Sequence, residues 1–172
     1  EKANLLAKFD ERNNFIYTKD EVNGKKVTTI FSDIAKPFVK KFKFIKGFED
    51  GVINFSSSNK NGLSKSILRI NDFKLKELPV LTKILTLASL QGISDLLTGE
   101  GVRFDEFEML FSNKDDLMTV NEIYSIGPAI SILMEGYVQS DKLISLKGTL
   151  VPATTINKFV ASIPVLGEIL VG

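Results

Sequence analysis

Residues 3 to 31 carry apolar side chains in short alternating runs: Leu5, Ala7 and Phe9, then Phe15 and Tyr17, then Val27, Thr29 and Phe31. Asn13-Asn14 and Asn23-Gly24 separate them, and a two-residue period broken by Asn and Gly predicts three strands joined as hairpins. Ser32 and Asp33 then offer a helix cap ahead of Ile34, Ala35, Phe38, Val39 and Phe42, with Pro37 inside the first turn, so a short helix is expected over 33–42. Alternation returns from Gly51 to Ser57 and from Ser64 to Leu75, with the polar stretch Ser56 to Gly62 expected as the turn between them.

Pro79 opens the longest helical pattern, over 79–98, where Leu81, Ile84, Leu85, Ala88, Leu90, Ile93, Leu96 and Leu97 form a broad apolar stripe that stops at Gly99. Beyond Gly101 four consecutive strands are expected. Val102 and Phe104 share one phase, whereas Phe107, Met109 and Phe111 continue after a one-residue shift, which predicts a bulge near Asp105-Glu106. Leu117–Tyr124, Ile130–Val138 and Leu143–Val151 follow. Their short connectors, Asn113-Lys114-Asp115, Gly127-Pro128 and Ser140-Asp141, imply an antiparallel meander. Pro152 is read as the start of a short helix over 152–162, followed by a nearly uncharged tail, Val165, Leu166, Ile169, Leu170 and Val171, suited to packing on the fold, docking on a partner or touching a membrane. The fold class predicted is mainly β with some helix (α+β).

Composition narrows the chemistry. The chain has neither histidine nor cysteine, so thiolate nucleophiles, imidazole bases and the usual zinc ligands are excluded, and a non-enzymatic role without cofactor or metal is expected. Lysine plus arginine number 22 against 21 acidic residues, a balance that gives no long-range pull on nucleic acid. The longest uncharged apolar stretches, Ile84 to Ile93 and Ile123 to Met134, fall short of the roughly 20 residues a spanning helix needs. The chain begins at Glu1 with no leader ahead of it, and is read as a single module, 1–172, trimmed from a longer protein.

Other motifs have plain readings. Asp105, Glu106 and Glu108, and Asp115 with Asp116, could form an acid/base pair or an oxygen-ligand metal site, but solvated strand edges and turns account for them. Gly99-Glu100-Gly101 follows a helix and precedes a strand, the reverse of a phosphate cradle. Lys36, Lys40, Lys41, Lys43 and Lys46 form a basic run that reads as a solvated helix face, with anionic head groups as the other reading. Met109, Phe111, Met118 and Met134 suit either a core or a lipid-facing surface.

From about Leu75 onward a set of motifs stands together: Leu87-Ala88-Ser89-Leu90 with Gly92-Ile93, Gly99-Glu100-Gly101-Val102 with Phe104, Ser125-Ile126-Gly127, and Glu135-Gly136-Tyr137. Gly148-Thr149-Leu150-Val151-Pro152, Asn157 and Ile163-Pro164-Val165-Leu166-Gly167 close it. This set resembles the C-terminal region of the AsmA-like family of bacterial envelope proteins, which includes TamB-like and YhdP-like members. The motif positions are Gly99, Gly101, Gly127, Gly136, Gly148, Pro152, Asn157, Pro164 and Gly167. Coverage is dense over 76–172 and sparse over 33–74, where Gly47 and Gly51 flank Phe48-Glu49-Asp50 in place of the family's glycine pair; residues 1–75 otherwise supply the first strands and the short helix.

The resemblance implies a curled antiparallel sheet forming an open apolar groove, in a periplasmic protein of a Gram-negative envelope held in the inner membrane by a segment outside these residues. It further implies non-enzymatic passage of phospholipid between inner and outer membranes. Alternation in the last two strands places Ile130, Ile132, Met134 and Val138, and Ile144, Leu146 and Leu150, on one face as candidate groove residues. The alternative function is a structural or protein-interaction module in which Val165, Leu166, Ile169, Leu170 and Val171 contact a membrane surface or an outer-membrane assembly partner.

Overall fold

A computed structural model describes residues 2–8, 14–39, 46–77, 101–139 and 143–152. The chain is mainly β. Its strands are β1 (Ala3–Lys8), β2 (Asn14–Val22), β3 (Lys25–Ser32), β4 (Lys46–Lys60), β5 (Leu63–Glu77), β6 (Val102–Lys114), β7 (Leu117–Ile126), β8 (Ile130–Gln139) and β9 (Leu143–Pro152), with one short helix, α1 (Lys36–Val39), between β3 and β4. They form one nine-stranded sheet in strict sequence order, each strand antiparallel to the next, with β1 and β9 at its two edges.

Short turns enforce that order. Asn23-Gly24 and Asn61-Gly62 have positive φ at both residues (51° and 68°, 53° and 79°), the conformation of a two-residue hairpin turn whose twist matches its strands. Asn and Gly tolerate the left-handed region where branched residues would not. The expected turn over Ser56 to Gly62 therefore contracts to its last two residues, and Ser56 through Lys60 belong to β4. Their side chains find partners across the strand pair: Ser66 Oγ donates to Ser57 Oγ at 2.9 Å and Asn59 Nδ2 to Ser64 Oγ at 2.8 Å.

The core sits at one end of the sheet. Phe48, Phe73 and Phe104, from three adjacent strands, stack in series with centroids 5.3 Å apart at each step. Ile53, Ile70, Leu75, Val102 and Ile130 fill in around them, and Ala35 and Val39 close the cluster from the α1 side. Phe38 of α1 stacks on Phe15 of β2 at 5.7 Å, so the helix also reaches the first hairpin.

Alternation changes phase inside this core on three strands at once. The buried positions run Phe48 then Ile53 on β4, Phe73 then Ile70 on β5, and Val102 and Phe104 on β6 followed by Phe107, which packs against the same cluster. Left-handed backbone at Asp50 (60°), Gly51 (87°) and Asp72 (54°) absorbs the change while the pairing register is preserved. The one-residue shift expected near Asp105-Glu106 is thus a phase change shared with neighbouring strands. The slip in register lies further on, where Leu110 pairs Glu122 but Phe111 pairs Val120, leaving Asn121 as the extra residue on β7.

Two other expectations change. Of the helix over 33–42, Lys36–Val39 is seen and residues 40–42 lie outside the described residues, but Ser32 and Asp33 do not cap it. Ser32 is fully buried at the end of β3, with its hydroxyl on the Ile34 backbone, and Asp33 Oδ2 accepts from Asn14 N at 2.9 Å and Asn14 Nδ2 at 2.8 Å. Helix entry is secured instead by Ala35 N donating to Gly51 O at 2.8 Å. Pro152 is the last residue of β9 rather than the first of a helix, and is buried opposite Ile130. The helix predicted over 79–98 and the rest of that over 152–162 lie outside the described residues.

Candidate functional site

Antiparallel register converts nine separate alternations into continuous rows. One row crosses every strand: Leu5, Tyr17, Ile30, Phe55, Leu68, Met109, Ile123, Met134 and Gly148. The adjoining row on the same face is Ala7, Phe15, Ser32, Ile53, Ile70, Phe107, Ser125, Ile132 and Leu150. Neither row contains a charged residue. Most members of the first row are half-buried; Ile123 is buried, and Leu5 and Gly148 at its ends are exposed.

The ion pairs of the strands lie on the opposite face, while Lys19, Glu21 and Lys26 stand toward the hairpin-tip end of the apolar face itself. Arg69 pairs with Glu108 of the neighbouring strand, Lys147 with Glu135 at 3.0 Å, and Lys2 with Asp20 at 3.0 Å. Thr18 and Thr29 share a hydroxyl hydrogen bond of 2.5 Å between β2 and β3. Tyr124 donates its hydroxyl proton to Glu106 at 2.8 Å. That bond, with burial adding to it, pushes the Tyr124 phenol up to about 12. Lys2 hydrogen-bonded to the Asp20 carboxyl, and Lys76 to Glu49, hold both acids below the ordinary range.

The seven groove residues read from β8 and β9 do share one face. Ile132 pairs Leu150, Gly136 pairs Leu146 and Val138 pairs Ile144, in rows continuous with those above. Their accessibility is graded. Ile130 is closed off at 0% exposure, Ile132 and Leu150 are half-buried against the core, Met134 and Val138 are half-buried, and Leu146 and Ile144 are open at 41% and 64%. A ligand on this face would thus meet the β8–β9 hairpin from Met134 outward, while Ile130 belongs to the fold. Met109, Phe111 and Met118 are half-buried on that same face.

Glycines shape that hairpin. A Cβ on Gly136 would collide with the Ser145 carbonyl, and one on Gly148 with the Leu133 carbonyl, so the two backbones approach where no side chain could be accommodated. Gly101, Gly127 and Pro152 all flank core residues, whereas Gly99, Asn157, Pro164, Gly167 and the tail residues Val165, Leu166, Ile169, Leu170 and Val171 lie outside the described residues.

The acidic candidates do not converge. Glu108 is engaged by Arg69 and Glu106 by Tyr124, while Asp115 occupies a turn with φ of 52°. Among the described residues no group of three or more acidic side chains could hold a metal ion. Of the basic run, only Lys36 has a described side chain, and it stands exposed at the start of α1.

Sequence reasoning missed the share of this face contributed by β1 to β5, namely Leu5, Tyr17, Ile30, Phe55 and Leu68. The signal was present: a two-residue turn fixes its hairpin's register outright, so Asn23-Gly24 places Tyr17 opposite Ile30 and Asn61-Gly62 places Phe55 opposite Leu68. Among the described residues no helix is long and apolar enough to cross a membrane. No known protein family, curated protein or solved structure matches the chain.

Proposed function

We propose that the chain is a non-enzymatic, lipid-binding module that carries phospholipid acyl chains along one face of its sheet, as its resemblance to AsmA-like envelope proteins implies. The observation carrying this reading is the uncharged row from Leu5 to Met134, which crosses the sheet while every described ion pair lies off it. A row of half-exposed large apolar residues is a poor surface for water and a good one for methylenes, each of which avoids about 0.8 kcal/mol of aqueous exposure when it lies there. Acyl chains could then exchange one apolar surface for another with no chemistry.

Curvature toward this face is part of the proposal. Phe55 on β4 and Phe111 on β6 stand two strands apart, about 9–10 Å by strand spacing, yet their ring centroids lie 6.5 Å apart over the small Ser66. That convergence supports a concave surface, an open groove in which head groups stay in water. In the envelope setting the resemblance implies, the groove would form part of a periplasmic path between inner and outer membranes.

Native mass spectrometry of protein purified without detergent, with lipid analysis of an organic extract, tests this. Bound phospholipid that is lost on Met134→Asp or Leu146→Asp, in variants that still fold, is the expected result. A lipid-free mass, together with no uptake from liposomes, would sink it. That outcome favours the interaction reading, to which the β9 edge, with no strand partner beyond it among the described residues and with exposed Leu143, Ile144 and Leu146, lends support.

A further inference from the structure

The hairpin tips at one end of the sheet share a pattern. Val22 and Lys25 flank the Asn23-Gly24 turn, Lys60 and Leu63 flank Asn61-Gly62, and Lys114 and Leu117 flank Asp115-Asp116. Each tip therefore offers one aliphatic and one lysine. These residues lie one step beyond the paired rungs Lys26↔Asn59, Ser64↔Asn113 and Met118↔Val138, so they form the terminal row of the sheet.

The aliphatics of this row are all exposed. Val22 is 51% exposed, Leu63 37% and Leu117 43%, and Leu143 on the last hairpin is 48% exposed. Single exposed aliphatics are ordinary, but here the register brings four into one row interleaved with lysines. Lys25, Lys60, Lys65 and Lys114 line a shallow depression of about 460 Å³ around Ser58, Asn61 and Leu63. None of the four makes an ion pair with the described residues. Among the described residues Lys26 brings the lysines at this end to five, beside the acids Glu21, Asp115, Asp116 and the Lys2-bound Asp20.

We infer that this end of the sheet is a docking surface for an anionic phospholipid bilayer, with the tip lysines on head-group phosphates and Val22, Leu63, Leu117 and Leu143 in the interfacial layer. Charge complementarity selects the occupant. A lysine reaches a phosphate while its stem lies along apolar surface, and short aliphatics between lysines match the boundary between head groups and acyl chains. A soluble anion would use the lysines and leave the aliphatics in water; an apolar protein surface would leave the lysines unpartnered. The row spans β2 to β9, about 33 Å at ordinary strand spacing, which suits a planar surface better than a compact ligand. Docking here is independent of acyl chains occupying the apolar face, and either can hold without the other.

Co-sedimentation of the full chain with phosphatidylcholine vesicles containing about a third phosphatidylglycerol, against vesicles of phosphatidylcholine alone, tests the inference. Binding should favour the anionic vesicles and weaken as salt rises. At roughly fivefold per lysine, Lys25→Gln, Lys60→Gln and Lys114→Gln together should weaken it on the order of a hundredfold. Leu63→Ser with Leu117→Ser should weaken it further while circular dichroism and melting stay as in the parent. Arg103→Gln, which removes a cation at the far end of the sheet, should leave vesicle binding unchanged, and the lysine variant should keep any copurified lipid. Equal binding to both vesicles, binding indifferent to salt, or binding undiminished in the lysine variant overturns the proposal. Displacement by millimolar inorganic phosphate at matched ionic strength also overturns it, in favour of a soluble phosphate site.

Discussion

Phe73→Ala should cost more than any other single truncation on the described sheet, because Phe73 is the middle ring of the stack. It is 4% exposed, and it touches Phe48 and Phe104 at the same 5.3 Å centroid distance on its two sides. Removing the ring returns roughly 100 Å² of apolar burial, about 2.5 kcal/mol at the usual coefficient. Each stacked pair adds about 0.5–1.5 kcal/mol. The sum, about 3.5–5.5 kcal/mol, overlaps the range for buried Phe→Ala changes. For a chain of this size that corresponds to a fall in Tm of about 7–22 °C. The assay is equilibrium denaturation in guanidinium chloride, comparing midpoint and slope with the parent. Leu133→Ala, 51% exposed on the opposite face, serves as control and should stay within about 0.5 kcal/mol. A loss below about 1.5 kcal/mol for Phe73→Ala at unchanged slope would refute the reasoning, since it would mean the three rings are a surface cluster and the sheet draws its stability from elsewhere.

Further outcomes follow from the same geometry. Gly51→Val should destabilise by about 2–3 kcal/mol, because φ is +87° and the new Cβ would sit 3.1–3.2 Å from Phe73, Ala35 and Ile70; Gly24→Val, at φ +68° with nothing within 4 Å, should cost less in the same thermal melt. Arg69→Met leaves the Glu108 carboxylate, only 11% exposed, without its counter-charge and should cost about 1–3 kcal/mol. Arg69→Met with Glu108→Leu should recover part of that loss, and strict additivity in the double-mutant cycle would count against coupling. Tyr124 has a folded value of about 12, above its ordinary 10.0, so the folded state favours the neutral phenol. Its contribution is fully present below about pH 10 and disappears as pH climbs through about 12; ultraviolet phenolate titration against Tyr124→Phe should show this late component, and Glu106→Ala should move it earlier.

Much of the fold is a local property of the chain and was readable as such. A strand's period of two is imposed by its own backbone, so Phe15-Tyr17, Val27-Thr29 and Ile130-Ile132-Met134 declare their strands without outside help. Asn23-Gly24 and Asn61-Gly62 declare tight hairpins because only such residues enter the left-handed region cheaply, and short connectors then force neighbouring strands to run antiparallel. The common face of Ile132, Met134, Leu146 and Leu150 was equally legible, because one hairpin decides it. Without His or Cys, the chemistry open to the chain was also bounded from composition alone.

Tertiary structure decided what depends on distant partners. Whether Ser32 caps a helix or ends a strand turns on Asn14 and Gly51, which bind the adjacent residues Asp33 and Ala35 and fix the path between β3 and α1. Pro152 has φ suited to either a helix start or an extended edge, and the buried place opposite Ile130 selects the strand. The phase change at Asp50-Gly51, Asp72 and Asp105-Glu106 has meaning only when three strands make it together, since one strand alone would turn its apolar residues away from the core. The same holds for both surfaces proposed to act. Leu5 and Met134 join one row, and Val22 and Leu117 one edge, only because successive registers add across the sheet, and that sum is a long-range quantity no single window of sequence contains.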